Sequence, residues 1–70
     1  MNERAIIHEC LDDACEMTTT LESLLDWLSS DEIVDWFVRD YFGGDYDCIR
    51  STLSEEEADY IIDYYECHCE

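Results

Sequence analysis

Apolar residues recur along this chain at intervals of three and four. Ile7, Cys10 or Leu11, Ala14 and Met17 form one such series, with Glu9, Asp12, Asp13 and Glu16 on the opposite side. The pattern predicts an amphipathic helix over about residues 3–17. Thr18-Thr19-Thr20 interrupts it with β-branched hydroxyl residues that favour caps and turns. Thr19 precedes Glu22 by the capping-box interval, in which each side chain covers an orphan backbone N–H of the other. Leu21, Leu24, Leu25 and Leu28 then mark a short second helix.

The same start signal returns at Ser29 with Glu32 and at Ser54 with Glu57. The first opens a third helix over roughly residues 30–42, stopped by Gly43-Gly44, because a C-terminal cap needs a residue free to take positive φ. The second opens a last helix over roughly residues 55–67. Between them, Asp45 or Asp47 is placed to cap a brief turn through Cys48-Ile49-Arg50. Leu28-Ser29-Ser30-Asp31-Glu32 is similar to Leu53-Ser54-Glu55-Glu56-Glu57, but the apolar positions beyond do not align. One cap chemistry is used twice, without an internal repeat. Val34-Asp35-Trp36-Phe37-Val38 alone would suit a strand, whereas the cap spacing and the lack of Pro favour helix. The expected fold is all-α, a compact bundle of four to five short helices forming one acidic helical domain over residues 1–70.

The third helix carries Ile33, Val34, Trp36, Phe37, Val38, Tyr41 and Phe42 around most of its circumference. A helix apolar all round is either surrounded by its own chain or shares a face with another subunit. In 70 residues the first arrangement is hard to complete, so a homodimer through this helix is one expectation. A crowded monomer core is the other.

Charge changes the picture. The chain has 20 Asp and Glu against three Arg, no Lys and no Pro, for a formal net charge of -17. Acidity on that scale suggests disorder, but 47% of residues are hydrophobic and 13% aromatic, and disordered acidic segments are poor in both. A compact body with an acidic exterior reconciles the two. Such a body is repelled by bare nucleic acid and by anionic membrane surfaces. Neither a signal peptide nor an apolar run long enough to span a membrane is evident, so a cytoplasmic location, in a host cell, is expected.

The carboxylates fall in stripes. Glu55 or Glu56, Asp59, Asp63, Glu66 and Glu70 recur every three or four residues on the last helix, and Glu9, Asp12, Asp13 and Glu16 do so on the first. Carboxylates at i and i+4 stand about 6 Å apart on a helix face, a separation of the same order as that between successive phosphates of a DNA strand. Like charges at that spacing destabilise a helix by a few tenths of a kcal/mol per pair. Arg39 can pair with Asp35 or Asp40, while Arg4 and Arg50 look isolated in the sequence. Solubility is satisfied by a net charge of magnitude about 2–8, so this excess has another use or reflects adaptation to high salt.

In its length, its missing Lys and the stripes Glu9/Asp12/Asp13/Glu16 and Glu55/Asp59/Asp63/Glu66, the chain resembles the small acidic proteins, many encoded by bacteriophages, that imitate DNA. The resemblance is to a class that shares no common fold or diagnostic motif. It implies an inhibitor of anti-CRISPR or anti-restriction type, whose partner is a basic nucleic-acid-binding protein and which does not touch nucleic acid itself. Glu9, Asp12, Asp13, Glu16, Glu55, Glu56, Asp59, Asp63 and Glu66 are then the candidate partner-binding residues. Tyr46, Tyr60, Tyr64 and Tyr65 lie among them, and Tyr suits interface centres. The alternative is a small helical adaptor, zinc-stabilised or not, that grips a partner through the apolar face of the third helix.

Five cysteines, Cys10, Cys15, Cys48, Cys67 and Cys69, are too odd a set for a pure disulfide framework. Zinc is a sharper use, since His8 with Cys10 and Cys67-His68-Cys69 supply ligand types near both ends. Yet no C-x₂-C occurs, and His8 and Cys10 point roughly 200° apart on a helix. Cys10 and Cys15 are better placed as small buried hydrophobes beside the first helix's apolar face. No metal or other cofactor is therefore expected. Asp45-Tyr46-Asp47 starts like an EF-hand loop but lacks its Gly and its terminal Glu. Gly43-Gly44 has no nearby Lys to cradle phosphate. A nucleophile pair such as His8 with Cys67 is conceivable, but so short a chain promises no deep pocket. An enzyme is not expected.

Overall fold

The computed structural model describes residues 2–68. Five α-helices follow one another: α1 Glu3–Asp13, α2 Thr19–Trp27, α3 Ser30–Trp36, α4 Tyr46–Thr52 and α5 Glu55–His68. A π-helical turn, Phe37–Tyr41, extends α3. No strand occurs among the described residues. The radius of gyration, 11.1 Å, is that of a closely packed chain of this length, about 11 Å.

Local chemistry sets most helix starts. Asn2 caps α1 by accepting from the backbone N–H groups of Arg4 and Ala5 at 2.8 and 3.2 Å. Ser29 and Glu32 form the expected capping box, as do Ser54 and Glu57 through reciprocal bonds of 3.3 and 3.4 Å. Asp45, rather than Asp47, caps α4. At α2 the cap lies one residue earlier than the capping-box interval indicates. Thr18 accepts from the Leu21 N–H at 3.1 Å, and Glu22 falls past the position that could answer it.

The first helix ends at Asp13, four residues short of the expected end at residue 17. Cys15 adopts φ 58°, in the left-handed region. Its N–H donates to the Asp12 carbonyl and the Glu16 N–H to the Leu11 carbonyl, both at 3.0 Å. These two bonds make a Schellman stop, a motif usually closed by Gly. Ala14 and Cys15 are consequently exposed, so Cys15 is not the buried hydrophobe its position suggested. Gly43 and Gly44, at φ 66° and 78°, stop the third helix as anticipated.

The core is formed by Ile6, Ile7, Cys10 and Leu11 of α1, Ile33 and Val34 of α3, Phe37 and Val38 of the π turn, Ala58, Ile61 and Ile62 of α5, Leu25 and Ile49. No polar or charged residue is buried among those described. In the π turn the Phe42 N–H reaches back five residues to the Phe37 carbonyl at 3.1 Å. This wider turn sets both Tyr41 and Phe42 against Phe37, with ring centroids 5.5 and 4.9 Å away.

The third helix is thus enclosed by its own chain, with Trp36, Tyr41 and Phe42 half-buried against the core. Most of its apolar circumference is therefore covered within one chain, as in a crowded monomer core. Among the described residues, the large apolar side chains left exposed belong to α2: Leu24 at 50% and Trp27 at 87%.

A left-handed conformation costs a residue with a Cβ about 1–2 kcal/mol, and Gly gives back part of that gain through its freer unfolded state. Cys15→Gly is therefore expected to stabilise the protein by about 0.5–1 kcal/mol, raising the melting temperature by roughly 4 °C. A lower melting temperature in calorimetry would show that the Cys15 side chain, not its backbone, governs this turn.

Candidate partner-binding surface

The last helix carries its acidic residues where periodicity placed them. Glu55, Glu56, Asp59, Asp63 and Glu66 are all exposed, and at 100° per residue they occupy about 100° of the helix circumference. They extend along about 16 Å of axis. Glu56, Asp59, Asp63 and Glu66 line an open groove beside Arg50 and Tyr60. The register of this face is fixed from behind by Ala58, Ile61 and Ile62, which are buried in the core. Glu70 lies outside the described residues.

The stripe is not uniform. Arg50 of α4 reaches Asp59 at 2.6 Å, so Arg50 is not isolated and Asp59 is partly neutralised. Glu55, Glu56, Asp63 and Glu66 carry the outward charge of this face, the last three along the groove. The thiol of Cys67 lies 3.9 Å from Asp63, one turn away.

On the first helix Glu9, Asp12 and Asp13 share one arc of about 100°, and Glu16 departs from it. Because α1 ends at Asp13, Glu16 leaves the helical series and accepts a hydrogen bond from the Tyr41 hydroxyl. Glu9 and Asp13 also line a cleft together with Glu57 of α5, Ile6 and Cys10. Asp12, with Glu9 again, turns toward Glu22 of α2 and His8. The α1 carboxylates thus join neighbours from other helices, and Glu22 and Glu57 were absent from the expected set because those neighbours are distant in sequence.

Tyrosines serve as donors in this structure more than as contact residues. Tyr60 donates to Glu3 at 3.1 Å, Tyr64 to Asp31 at 2.8 Å, and Tyr41 to Glu16. The Glu16 and Asp31 carboxylates hold the phenols of Tyr41 and Tyr64 in their protonated form, pushing each up to about 12. Tyr60 is also raised, first by desolvation and then by Glu3. Glu3 is held below the usual carboxylate value, first by a backbone N–H bond and then by the Ser30 hydroxyl. Tyr46 and Tyr65 meet edge to face, 6.5 Å apart. All four tyrosines proposed as contacts are half-buried, not freely displayed.

Two Arg residues tie elements together, and the third bridges a single helical turn. Arg4, which looked isolated in the sequence, donates to the Leu25 carbonyl at 3.1 Å and to that of Leu28 at the C-terminal end of α2. Arg39 pairs with Asp35 at 3.6 Å.

Cys10 is buried at 8% exposure. Burial, followed by the charges of Asp13, Glu16 and Glu57, pushes its thiol up, so it stays protonated and packs as an apolar group. Among the described residues, no three His, Cys, Asp or Glu side chains are grouped as a metal ion requires. Cys69, part of the zinc alternative, lies outside them. No described helix is long and apolar enough to cross a membrane.

In comparisons with protein-family models, curated proteins and solved structures, nothing matches this chain. The surface must therefore be judged on its own geometry and charge.

The raised phenols give a signed pH dependence. Each stabilises the fold fully below the ordinary phenol value near 10, and that stabilisation is lost as pH rises through about 12. Melting temperature should hold between about pH 8 and 10 and fall toward 12. In Tyr41→Phe/Tyr64→Phe the fall should shrink; an undiminished fall would rule out these two bonds as its source. Because like charges dominate the surface, raising NaCl from about 10 mM to 0.5 M should raise the melting temperature by several degrees. Salt-independent melting would show that the carboxylates scarcely oppose folding.

Proposed function

We propose that this protein is a stoichiometric inhibitor that occupies the nucleic-acid-binding surface of a basic protein, its carboxylates standing in for backbone phosphates. The observation that carries this reading is the outward row Glu56, Asp63 and Glu66, held on one face of a helix whose opposite face is locked in the core. Such a row keeps its spacing without its partner, so little ordering is needed on binding. No Lys interrupts the field, and the chain as a whole carries a charge of -17. A field of that sign and size accelerates encounter with a cationic groove and weakens as salt rises.

Resemblance in length and charge to phage-encoded DNA mimics favours a CRISPR effector or a restriction enzyme as the target. Salt adaptation would also give a dense acidic surface. A halophilic chain, however, would lose its helicity in dilute buffer, and circular dichroism at low salt separates the two.

Glu56→Gln/Asp63→Asn/Glu66→Gln removes the charged row while leaving the Arg50–Asp59 pair intact. The triple variant should keep or gain stability, because like charges at helical spacing repel. It should also lose at least about tenfold in apparent affinity for its target. The target is captured on the wild-type protein from nuclease-treated bacterial lysate and released by duplex DNA. Recovery of a basic nucleic-acid-binding protein that DNA releases supports mimicry. Equal capture by wild type and variant, or bound protein that DNA fails to release, would overturn it.

A further inference from the structure

The apolar positions of α2 span a wide arc, and the fold covers only part of it. Leu25 is fully buried, and Leu21 and Leu28 pack beside it against the core. Leu24 and Trp27 are left in solvent at 50% and 87% exposure. At 100° per residue they share a face with Thr20 and Ser23, while Glu22 and Asp26 lie round the helix from them. In a chain with 20 acidic residues, this face has no carboxylate of its own.

We propose that the α2 face bearing Leu24 and Trp27 docks into an apolar pocket, rimmed by Lys and Arg, on a basic partner protein. Trp is the side chain most often found anchoring such contacts, because it removes a large apolar area from water with few rotatable bonds.

The charge selects the occupant. A second copy of this chain would bring a further -17 to the contact. Its matching Leu and Trp would bury only several hundred Å², against the roughly 1,200 Å² of a stable interface. An anionic bilayer is repelled in the same way. A basic protein reverses that sign, and the exposed Glu22 and Asp26 of the same helix lie to one side of the face, where Lys and Arg at a partner's rim would meet them. The anchor does not require that the partner bind nucleic acid, so this proposal and the mimicry reading can fail separately.

The test uses the full chain and an amphipathic helical peptide with Leu on one face and Lys on the other. Titration calorimetry is run at about 0.05 M and 0.3 M NaCl, where screening differs roughly twofold in length. Acrylamide quenching of Trp emission is followed in parallel. Binding should shift the emission to the blue and protect it from quenching. At the higher salt, Leu24→Ser/Trp27→Ser should weaken binding by roughly 30-fold, with an unchanged circular dichroism spectrum because both side chains are exposed. The triple variant of α5 should instead lose affinity mainly at low salt. Equal affinity of the α2 variant and wild type, or Trp emission that stays fully quenchable in the complex, would overturn the proposal. So would a Trp27-dependent dimer in sedimentation equilibrium, which would give the face to a second copy.

Discussion

Twenty carboxylates and three guanidiniums confront this bundle with a repulsion that apolar burial must exceed, and the placing of each charge limits that repulsion. Every α-helix has an acidic residue in its first turn: Glu3, Glu22, Asp31 with Glu32, Asp47, and Glu55 to Glu57. There the helix dipole favours negative charge. The opposite ends lack that advantage, and the scarce cations go to some of them. Arg4 crosses from α1 to the final carbonyls of α2, and Arg50 lies in the last turn of α4 while it holds Asp59 of α5. Between elements, phenol hydroxyls take the part that ammonium groups take in ordinary proteins. The Tyr41, Tyr60 and Tyr64 bonds join the α1–α2 connection to the π turn, α5 to α1, and α5 to α3. A phenol brings no cationic charge, so these ties leave the net field almost intact while still giving carboxylates strong donors.

That arrangement explains which features were legible in the sequence. Capping at Ser29 and Ser54 depends on an interval of three residues and was visible as such. So was the α5 stripe, because helix periodicity alone fixes which residues share a face. At α2 the Thr19–Glu22 interval pointed one residue too far, because adjacent threonines carry the same cap chemistry and Thr18 makes the bond. The early end of α1 rests on Cys15 in a left-handed conformation, a choice that only Gly or Asn would have signalled. Once α1 stops at Asp13, Glu16 cannot share a face with Glu9 and Asp12, and one of the four carboxylates expected on α1 is redirected. The ties made by Arg4, Arg50 and the tyrosines join residues 9 to 57 positions apart, beyond the reach of local pattern. Trp27 was missed for the opposite reason: an apolar residue at helical spacing argues for burial, and here burial is absent.

The carboxylates divide by the partners they hold. Glu32, Asp45 and Glu57 cap helices, Glu3, Glu16 and Asp31 accept from tyrosines, and Asp35 and Asp59 meet arginines. Those contacts account for their presence without any external function. Glu56 gains from the N-terminal end of the α5 dipole, whereas Asp63 and Glu66, further along the helix, do not, and Asp63 meets only the weak thiol donor of Cys67. A requirement for solubility would be met by the same number of charges scattered over the surface. It gives no reason to gather them on one face of the helix that the core holds most firmly. A requirement for fixed spacing does, and that is the support for the proposed mimicry.

Charge and apolar contact then have different tasks on neighbouring surfaces. Carboxylates act at a distance and raise the rate of encounter, but salt screens them within about 8 Å at physiological ionic strength. They hold a partner poorly once water and ions compete for it. An exposed Trp exerts no field and contributes only on contact, where desolvation slows departure. A chain made only of the first kind would bind fast and leave fast, and one made only of the second would find its partner slowly. The acidic face of α5 and the uncharged face of α2 supply one property each. On the proposed reading, the core holds both faces in fixed positions, so neither has to be ordered on binding.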